Sequence, residues 1–564
     1  MSCESKPGAE ALEAHRLSLP WELEKRADEP NLHISAAASL EDQNGIVYMH
    51  GLKLWSISAV IAILIFLVFL EIPIVITALV SITSELGGFE SVGWIVSSYL
   101  LGYIGVIVIF AKFSDIVGRK LILLISVAFF IVFSAACAGS QTAVQLIVFR
   151  AFQGIGGGGC YSLCTTMMVE VVPPERYTQY VSYISVNSAL ALLVGPIIGG
   201  AIAAHTSWRW IFLINIPIGC VAFVMALISI PSGFPYQART SDERLKNQSG
   251  NGAKTIMKRV DFPGTVLLLL ATLGLTAGFE EADSLFPWKS AYVISLLTVS
   301  GLLWIVLLVW ERYVTLSDKV REPVLPWRFF VNRQMMGLLL NLLFLGGPSL
   351  IGMFTLPQRF QLVYGLSGLE AGVRLIPFSF AIPVATIFAS AIAGKLKVPL
   401  MYIFIAGSCF QIVGFALLGT LPFTPQVPAR LYGYEILAGW GAGMNFSLLS
   451  IAIPLVNEDR DRAVGMAAGA QVRYVGSTIA LSIATSVFNT YMRPQLESIL
   501  GDRGGEALLH MGPSLVTLSE STVVQVKTAL GEGYNRQIIV LCISAALQIP
   551  ASFLLWNSKR QLVA

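Results

Sequence analysis

LIVFRAFQGIGGGG, Leu146 to Gly159, is apolar enough to lie in a bilayer, yet it carries one arginine, Arg150, and then a run of glycines. Closely spaced glycines let a neighbouring helix backbone approach. An arginine at membrane depth is expensive and marks a functional site by default. A second copy follows half a chain later as LYGYEILAGWGAG, Leu431 to Gly443. At a spacing of 285 residues Leu146 aligns with Leu431, Gly154 with Gly439, Gly156 with Gly441 and Gly158 with Gly443. At the charged position Arg150 aligns with Glu435. Two related helices with opposite charges at equivalent places point to two repeated halves around one polar pathway.

The rest of the chain agrees with a membrane setting. Of 564 residues 55% are hydrophobic and only 13% charged, and the mean hydropathy is +0.71. That average excludes a soluble globular fold and implies an all-α polytopic membrane protein. A net charge of +3 is too small to imply a nucleic-acid partner. The seven cysteines are scattered and form neither a disulfide framework nor a metal site. Cys160 and Cys164 share a helix face, where packing outweighs ligation. No cofactor is expected. No nucleophile–base set stands outside the apolar runs, so an enzyme is not expected either. The run GIGGGG follows no strand and precedes no Lys-Ser/Thr, which excludes a nucleotide loop.

Apolar runs of about 20 residues, each able to span a ~30 Å hydrocarbon core, recur fourteen times between residues 54 and 556. The expected organisation is a disordered tail over 1–53, a six-helix bundle over 54–231, a loop over 232–261 and a two-helix insert over 262–311. A loop over 312–335, a second six-helix bundle over 336–556 with an outer segment at 487–536, and a tail over 557–564 complete it. With the N-terminus inside, 26 of the 37 Lys and Arg fall in inner segments, 8 in outer loops and 3 within spans. The positive-inside rule then puts both termini in the cytoplasm. The sequon Asn247-Gln248-Ser249 lies in an inner loop and should carry no glycan. The two sets of six spans face the same way, a parallel repeat.

Five motifs in order carry a family resemblance. AKFSDIVGRK, Ala111 to Lys120, resembles the loop signature between spans two and three of the major facilitator superfamily. LIVFRAFQGIGGGG resembles the span-four signature, through Arg150, Gln153 and Gly154. ALLVGPIIGG, Ala191 to Gly200, resembles the span-five antiporter signature through Gly195, Pro196, Gly199 and Gly200. WRWIFLINIPIG, Trp208 to Gly219, and DFPGT, Asp261 to Thr265, look like the superfamily's fourteen-helix drug:proton antiporters. The departures are Ala111 and Ala191 where glycines are usual, and LEIPIVITALV, which offers Glu71, Pro73 and Val80 where the family has an Asp, then a Thr, then a Pro. The resemblance implies a major facilitator fold of two six-helix bundles plus two inserted helices, in the style of fungal toxin and multidrug exporters.

The charged residues can then be given roles. From their depths along the spans, Glu71 and Arg150 both reach one outer-half cavity, where a carboxylate alternating between dry and cation-paired surroundings could load and release a proton. A static pair that only locks helices is the competing reading. Glu435 is the counterpart in the second half, with Arg430 as a candidate neutraliser. Arg473 is the deepest charge and is expected in the cavity, while Arg374 can snorkel to water. Asp115, Gly118, Arg119 and Lys120 form a candidate cytoplasmic gate. Gly195, Pro196, Gly199 and Gly200 are implied by resemblance to limit leak, or else simply pack.

The expected function is proton-driven export of amphipathic organic molecules from a monomer in the plasma membrane, its partners being the small-molecule substrate, protons and lipid. An uptake or vacuolar carrier, as for siderophores or basic amino acids, is the alternative. A non-transporting sensor is a third reading, for which no large cytoplasmic extension is present.

Overall fold

In the computed structural model the described residues are 51–86, 92–173, 176–232, 234, 259–283, 286–317, 321–501 and 519–556, and most of them are helical. Most of the expected tails, most of the loop over 232–261 and the Asn247 sequon lie outside them. Among the described residues β pairing is confined to two isolated bridges. The first helix group comprises α1 (Gly51–Ile76), α2 (Leu79–Leu86), α3 (Val92–Val117), α4 (Arg119–Ala138), α5 (Ala143–Val171), α6 (Tyr177–His205), α7 (Trp210–Leu213) and α8 (Asn215–Ser229). An intervening pair follows, α9 (Phe262–Glu281) and α10 (Ala291–Ser317). The second group is α11 (Arg328–Val331), α12 (Arg333–Gly346), α13 (Gly352–Leu362), α14 (Gly368–Arg374), α15 (Ile376–Lys395), α16 (Leu400–Gly419), α17 (Arg430–Val456), α18 (Arg462–Leu500) and α19 (Glu520–Phe553). A π-helical turn, Gly347–Ile351, joins α12 to α13.

Among the described residues twelve helical stretches are long and apolar enough to cross a membrane. The chain is a multi-pass membrane protein. Two helices of the expected fourteen, α5 and α18, fall outside those twelve. They are the two that carry Arg150 and Arg473, and both are rich in small residues. Polar and glycine-rich faces lower their hydropathy because those faces are turned to other helices rather than to lipid.

The helix boundaries have local causes. Gly118 separates α3 from α4 at φ +116°, a conformation that side chains disfavour. The Asp261 side chain caps α9 by accepting from the Gly264 amide, while Trp310 of α10 donates its indole N–H to the same carboxylate at 2.9 Å. DFPGT is therefore the clasp of the inserted hairpin. Ser367 and Glu370 form a reciprocal capping box at the start of α14.

The expected outer segment at 487–536 is helical over most of its length. α18 runs for 39 residues and α19 for 34, about 58 and 51 Å at 1.5 Å per residue, well beyond a ~30 Å core. Met492 and Leu496 of α18 pack against Val526, Leu530 and Tyr534 of α19, with Val363 beside them. This small apolar cluster is what lets the two helices continue together past the bilayer.

Within each group, glycines set the spacing. A Cβ on Gly154 or Gly158 of α5 would strike the carbonyls of Tyr99 and Tyr103 on α3, and one on Gly156 would strike the Phe130 backbone of α4. In the second group a Cβ on Gly439 or Gly443 of α17 would strike the carbonyls of Phe378 and Ile382 on α15, and one on Gly441 would strike Gly407 on α16. The repeat detected at a spacing of 285 residues is thus a repeat of contacts: the same glycines seat equivalent helices. The two groups meet along α6 against α15, α3 against α18 and α5 against α18. The inserted α9 lies against both α3 and α18, where Gln471 donates to Thr272 at 3.2 Å.

Candidate functional site

Glu71 and Arg150 meet. The Arg150 guanidinium donates to the Glu71 carboxylate at 2.5 Å, and both side chains are 0% exposed. Around them Asn215 of α8 donates to the second Glu71 oxygen at 2.6 Å, and Gln153 donates to the first at 3.0 Å. Gln153 also accepts from Arg150 at 2.9 Å and donates to Ser134 of α4 at 2.8 Å. Arg150 donates from Nε to the Ile95 carbonyl at 3.0 Å and lies 4.4 Å from the centre of the Tyr99 ring. Five helices of one group thus converge on a single ion pair. A buried pair survives only with such extra donors, because both ions lose their water.

This cluster does not line the cavity between the two groups, where the depth argument put it. That cavity, about 70 Å³, is lined by Val68, Phe69 and Ile72 of α1, Tyr103 of α3, Glu280 of α9, Phe354 of α13 and Tyr474 and Thr478 of α18, among others. Glu71 sits beside those α1 residues but points into its own group, because Arg150 is held there by Ile95 and Tyr99. The antiporter-type motif of α6 packs on the same stretch of α1. A Cβ on Gly195 would meet Pro73, and one on Gly199 would meet Thr77 and Ile74. Pro196 instead lies near Gly372 of the second group, and the Gly200 Cβ direction is open.

Glu435 is 0% exposed, and neither carboxylate oxygen has a hydrogen-bond partner among the described residues. Arg430, the expected neutraliser, forms no ion pair with it among the described residues. Five residues, about 1.4 helical turns, separate their backbones, and Arg430 is exposed at the start of α17. Arg374 donates to the Tyr432 hydroxyl. Arg473 is buried at the seam, donating to the Tyr161 hydroxyl of α5 at 3.2 Å. Its guanidinium lies 5.0 Å from the Phe446 ring centre and 4.7 Å from that of Tyr474. A second cavity of about 30 Å³ includes Arg473, Tyr161, Thr165, Phe446 and Gly469 in its wall. Tyr103 and Tyr474, both in the wall of the first cavity, join their hydroxyls across the seam at 3.1 Å. Both volumes fall well short of the ~300–1,000 Å³ typical of ligand pockets, so neither cavity as it stands admits a drug-sized molecule.

At the far end of α3 the expected gate residues come together. Arg119 pairs with Asp115 at 2.5 Å and with Glu170 of α5 at 2.6 Å. Lys120 instead donates to the Leu227 carbonyl at 2.7 Å. Beside this cluster Lys112 pairs with Glu322 at 2.7 Å, and Arg259 pairs with the same carboxylate at 2.5 Å. Burial pushes the Glu322 carboxyl upward, but the charge of Lys112 and hydrogen bonds from Lys112 and Arg259 outweigh it and hold the group below its ordinary value.

Sequence reasoning missed Glu170, Glu280, Glu322, Tyr103 and Tyr474. Glu280 had a signal in the adjacent acids of GFEE, Gly278 to Glu281, inside the inserted pair; it accepts from Ser97 of α3 at 2.8 Å. The tyrosines carried none, since their roles appear only when two groups 371 positions apart are brought together.

A relative from Fusarium mangiferae, described as MFS-type transporter FPY5, is 37% identical over 525 residues, covering 93% of this chain and 87% of its own. The family description Major Facilitator Superfamily matches residues 61–289. The chain belongs to the major facilitator superfamily. It is also similar to efflux pump mokI of Monascus pilosus, 28% identical over 468 residues, with 83% of this chain and 84% of that one covered. Among solved structures the proton:xylose symporter XylE matches with a TM-score of 0.56 at 14% identity, covering 89% of this chain and 95% of that one. That likeness extends to the fold alone. The superfamily fold accounts for the two helix groups, the seam between them and the duplicated glycine contacts.

Proposed function

We propose that this major facilitator chain exports amphipathic organic molecules in exchange for protons. α1 carries the reading: its residues Val68, Phe69 and Ile72 wall the central cavity, and Glu71, on the same turn, holds the enclosed ion pair with Arg150. Any rocking that moves α1 at the cavity also moves the Glu71 carboxylate relative to its donors on α5 and α8. A carboxylate that loses its cation in a dry site is driven to take a proton. The mostly apolar and aromatic cavity wall suits an amphipathic cargo, and relatives described as efflux pumps support the outward direction.

In this reading α5 and α18 complete fourteen spans, both termini face the cytoplasm, and the Asp115–Arg119–Glu170 cluster closes the cytoplasmic end of a monomer in the plasma membrane. The test is substrate-evoked proton movement in proteoliposomes carrying a pH gradient, with wild type and Glu71→Gln in parallel. Flux in the wild type alone supports exchange coupled through Glu71. Equal flux in both moves the coupling group, with Glu435 next to test. No flux across a broad panel of amphipathic compounds from a folded protein would overturn proton-coupled export.

A further inference from the structure

We infer that Arg473 is an anion-recognition residue, and that the preferred cargo is an amphipathic organic acid bearing a carboxylate or an ionised enol or phenol. The inference rests on the export reading for what happens to the cargo, but not for the binding itself.

The buried acids of this chain have a way out of their charge that Arg473 lacks. A carboxyl can take up a proton; a guanidinium stays charged throughout the accessible pH range. Arg150 meets that constraint with Glu71, and Arg119 with Asp115 and Glu170. Arg473 has no carboxylate within ion-pair distance among the described residues. Its surroundings are one tyrosine hydroxyl at 3.2 Å and the faces of Phe446 and Tyr474. Ring faces and a hydroxyl lower the cost of a buried cation without neutralising it.

Position gives this cation its meaning. Arg473 sits on the seam, donating from α18 to Tyr161 of α5, and lines the 30 Å³ cavity. When the halves part, that cavity enlarges around a preformed guanidinium flanked by apolar walls from Leu342, Leu449 and Met466. A flat bidentate donor beside aromatic faces fits a planar anionic head on an apolar body. Glu280, in the neighbouring cavity, is an acid that offers an anion no positive charge whether ionised or neutral, and so does not compete for the assignment.

The experiment is equilibrium binding to the full chain in detergent, without a gradient, read by intrinsic fluorescence. Three probes share one alkylnaphthalene skeleton and carry a carboxylate, a carboxamide or a trimethylammonium group. The carboxylate should bind about tenfold or more tightly than either of the others, as a charge-assisted hydrogen bond implies. Arg473→Gln should erase that advantage while the carboxamide shifts by less than about twofold, a change within the weight of ordinary surface contacts. Arg473→Lys, which keeps the charge but not the fork, should retain part of it and serves if the glutamine variant fails to fold. A carboxylate no tighter than the carboxamide on the unmodified protein, an advantage that survives Arg473→Gln, or no binding of any probe would each overturn the assignment. Because no transport is involved, a failed proton-flux experiment removes the export reading and leaves this result standing.

Discussion

Tyr103 of α3 and Tyr474 of α18 join their hydroxyls at 3.1 Å, linking the two halves in the wall of the cavity between them. Their rings also pack edge to face with centres 5.0 Å apart. The contact is one hydrogen bond and one aromatic pair, together on the order of 1–3 kcal/mol. That is enough to bias a two-state seam and too little to lock it.

Tyr474→Phe should therefore leave the fold intact and shift the closed population by roughly tenfold or less, the worth of one hydrogen bond. Spin labels on Ile197→Cys and Val373→Cys, flanking the Pro196–Gly372 approach, would report the distance across the seam. A distribution unchanged from wild type would remove this pair from the gating contacts.

Removing one member of the Glu71–Arg150 pair leaves the other charge buried and unpaired, at a cost of about 3–5 kcal/mol. Glu71→Gln should lower thermal stability sharply, and the double variant Glu71→Gln/Arg150→Met should recover much of it. Transport separates the two readings of the pair. If it were only a lock, the double variant would regain activity with stability; a coupling role keeps it inactive.

Glu435 offers the opposite case, a buried carboxyl whose two oxygens have no partner among the described residues. Burying a polar group in that condition costs about 1–3 kcal/mol. Glu435→Leu should thus be neutral or stabilising in a melting experiment. A large loss of stability would mean that this carboxyl has a structural partner after all. Loss of proton flux at retained stability would place a proton on it.

Gly158→Ala and Gly443→Ala should each be strongly destabilising, by about 1–3 kcal/mol or more, because a backbone carbonyl rather than a movable side chain stands in the way. Gly200→Ala meets open space and should be neutral or stabilising by up to about 1 kcal/mol. Melting temperatures of the three in one detergent would settle the order.

The Glu322 contacts give a pH signature. Its folded carboxyl lies below the ordinary 4.5 because Lys112 and Arg259 outweigh its burial. A depressed folded value means the stabilisation is present above the unfolded pKa and is lost as pH falls through the folded one. The stability gap between wild type and Glu322→Gln should be full at neutral pH and close in acid below that value. A gap that is constant with pH would show that charge is not what ties Glu322 to its neighbours.

How much of this was legible in the chain follows from where each signal resides. Arg150, its glycines and their second copy were readable because one helix carries both the cost and its compensation. The pairing of Arg150 with Glu71 followed from matched depth, but its direction did not: depth cannot say which face of α1 Glu71 occupies. Asn215 was inside a quoted motif, yet its role required α8 to pass beside α1. The lengths of α18 and α19 were hidden because their extensions are polar, and hydropathy reports lipid contact rather than helicity. The tyrosine pair and the isolation of Arg473 belong to the seam, where no sequence neighbour gives a hint.

The duplicated glycine contacts decide where this molecule can bend. Inside each half, helices touch backbone to backbone at Gly154, Gly156 and Gly158, and again at Gly439, Gly441 and Gly443. A backbone cannot rotate out of the way as a side chain can. The α3–α4–α5 set and its counterpart α15–α16–α17 are therefore stiff blocks, and α1 and α8 stand outside them. The seam is faced with tyrosine, phenylalanine and leucine side chains that can change rotamer. Deformation is left to the seam and to the helices outside those blocks, α1 among them, which is what allows the Glu71 carboxylate to shift against α5.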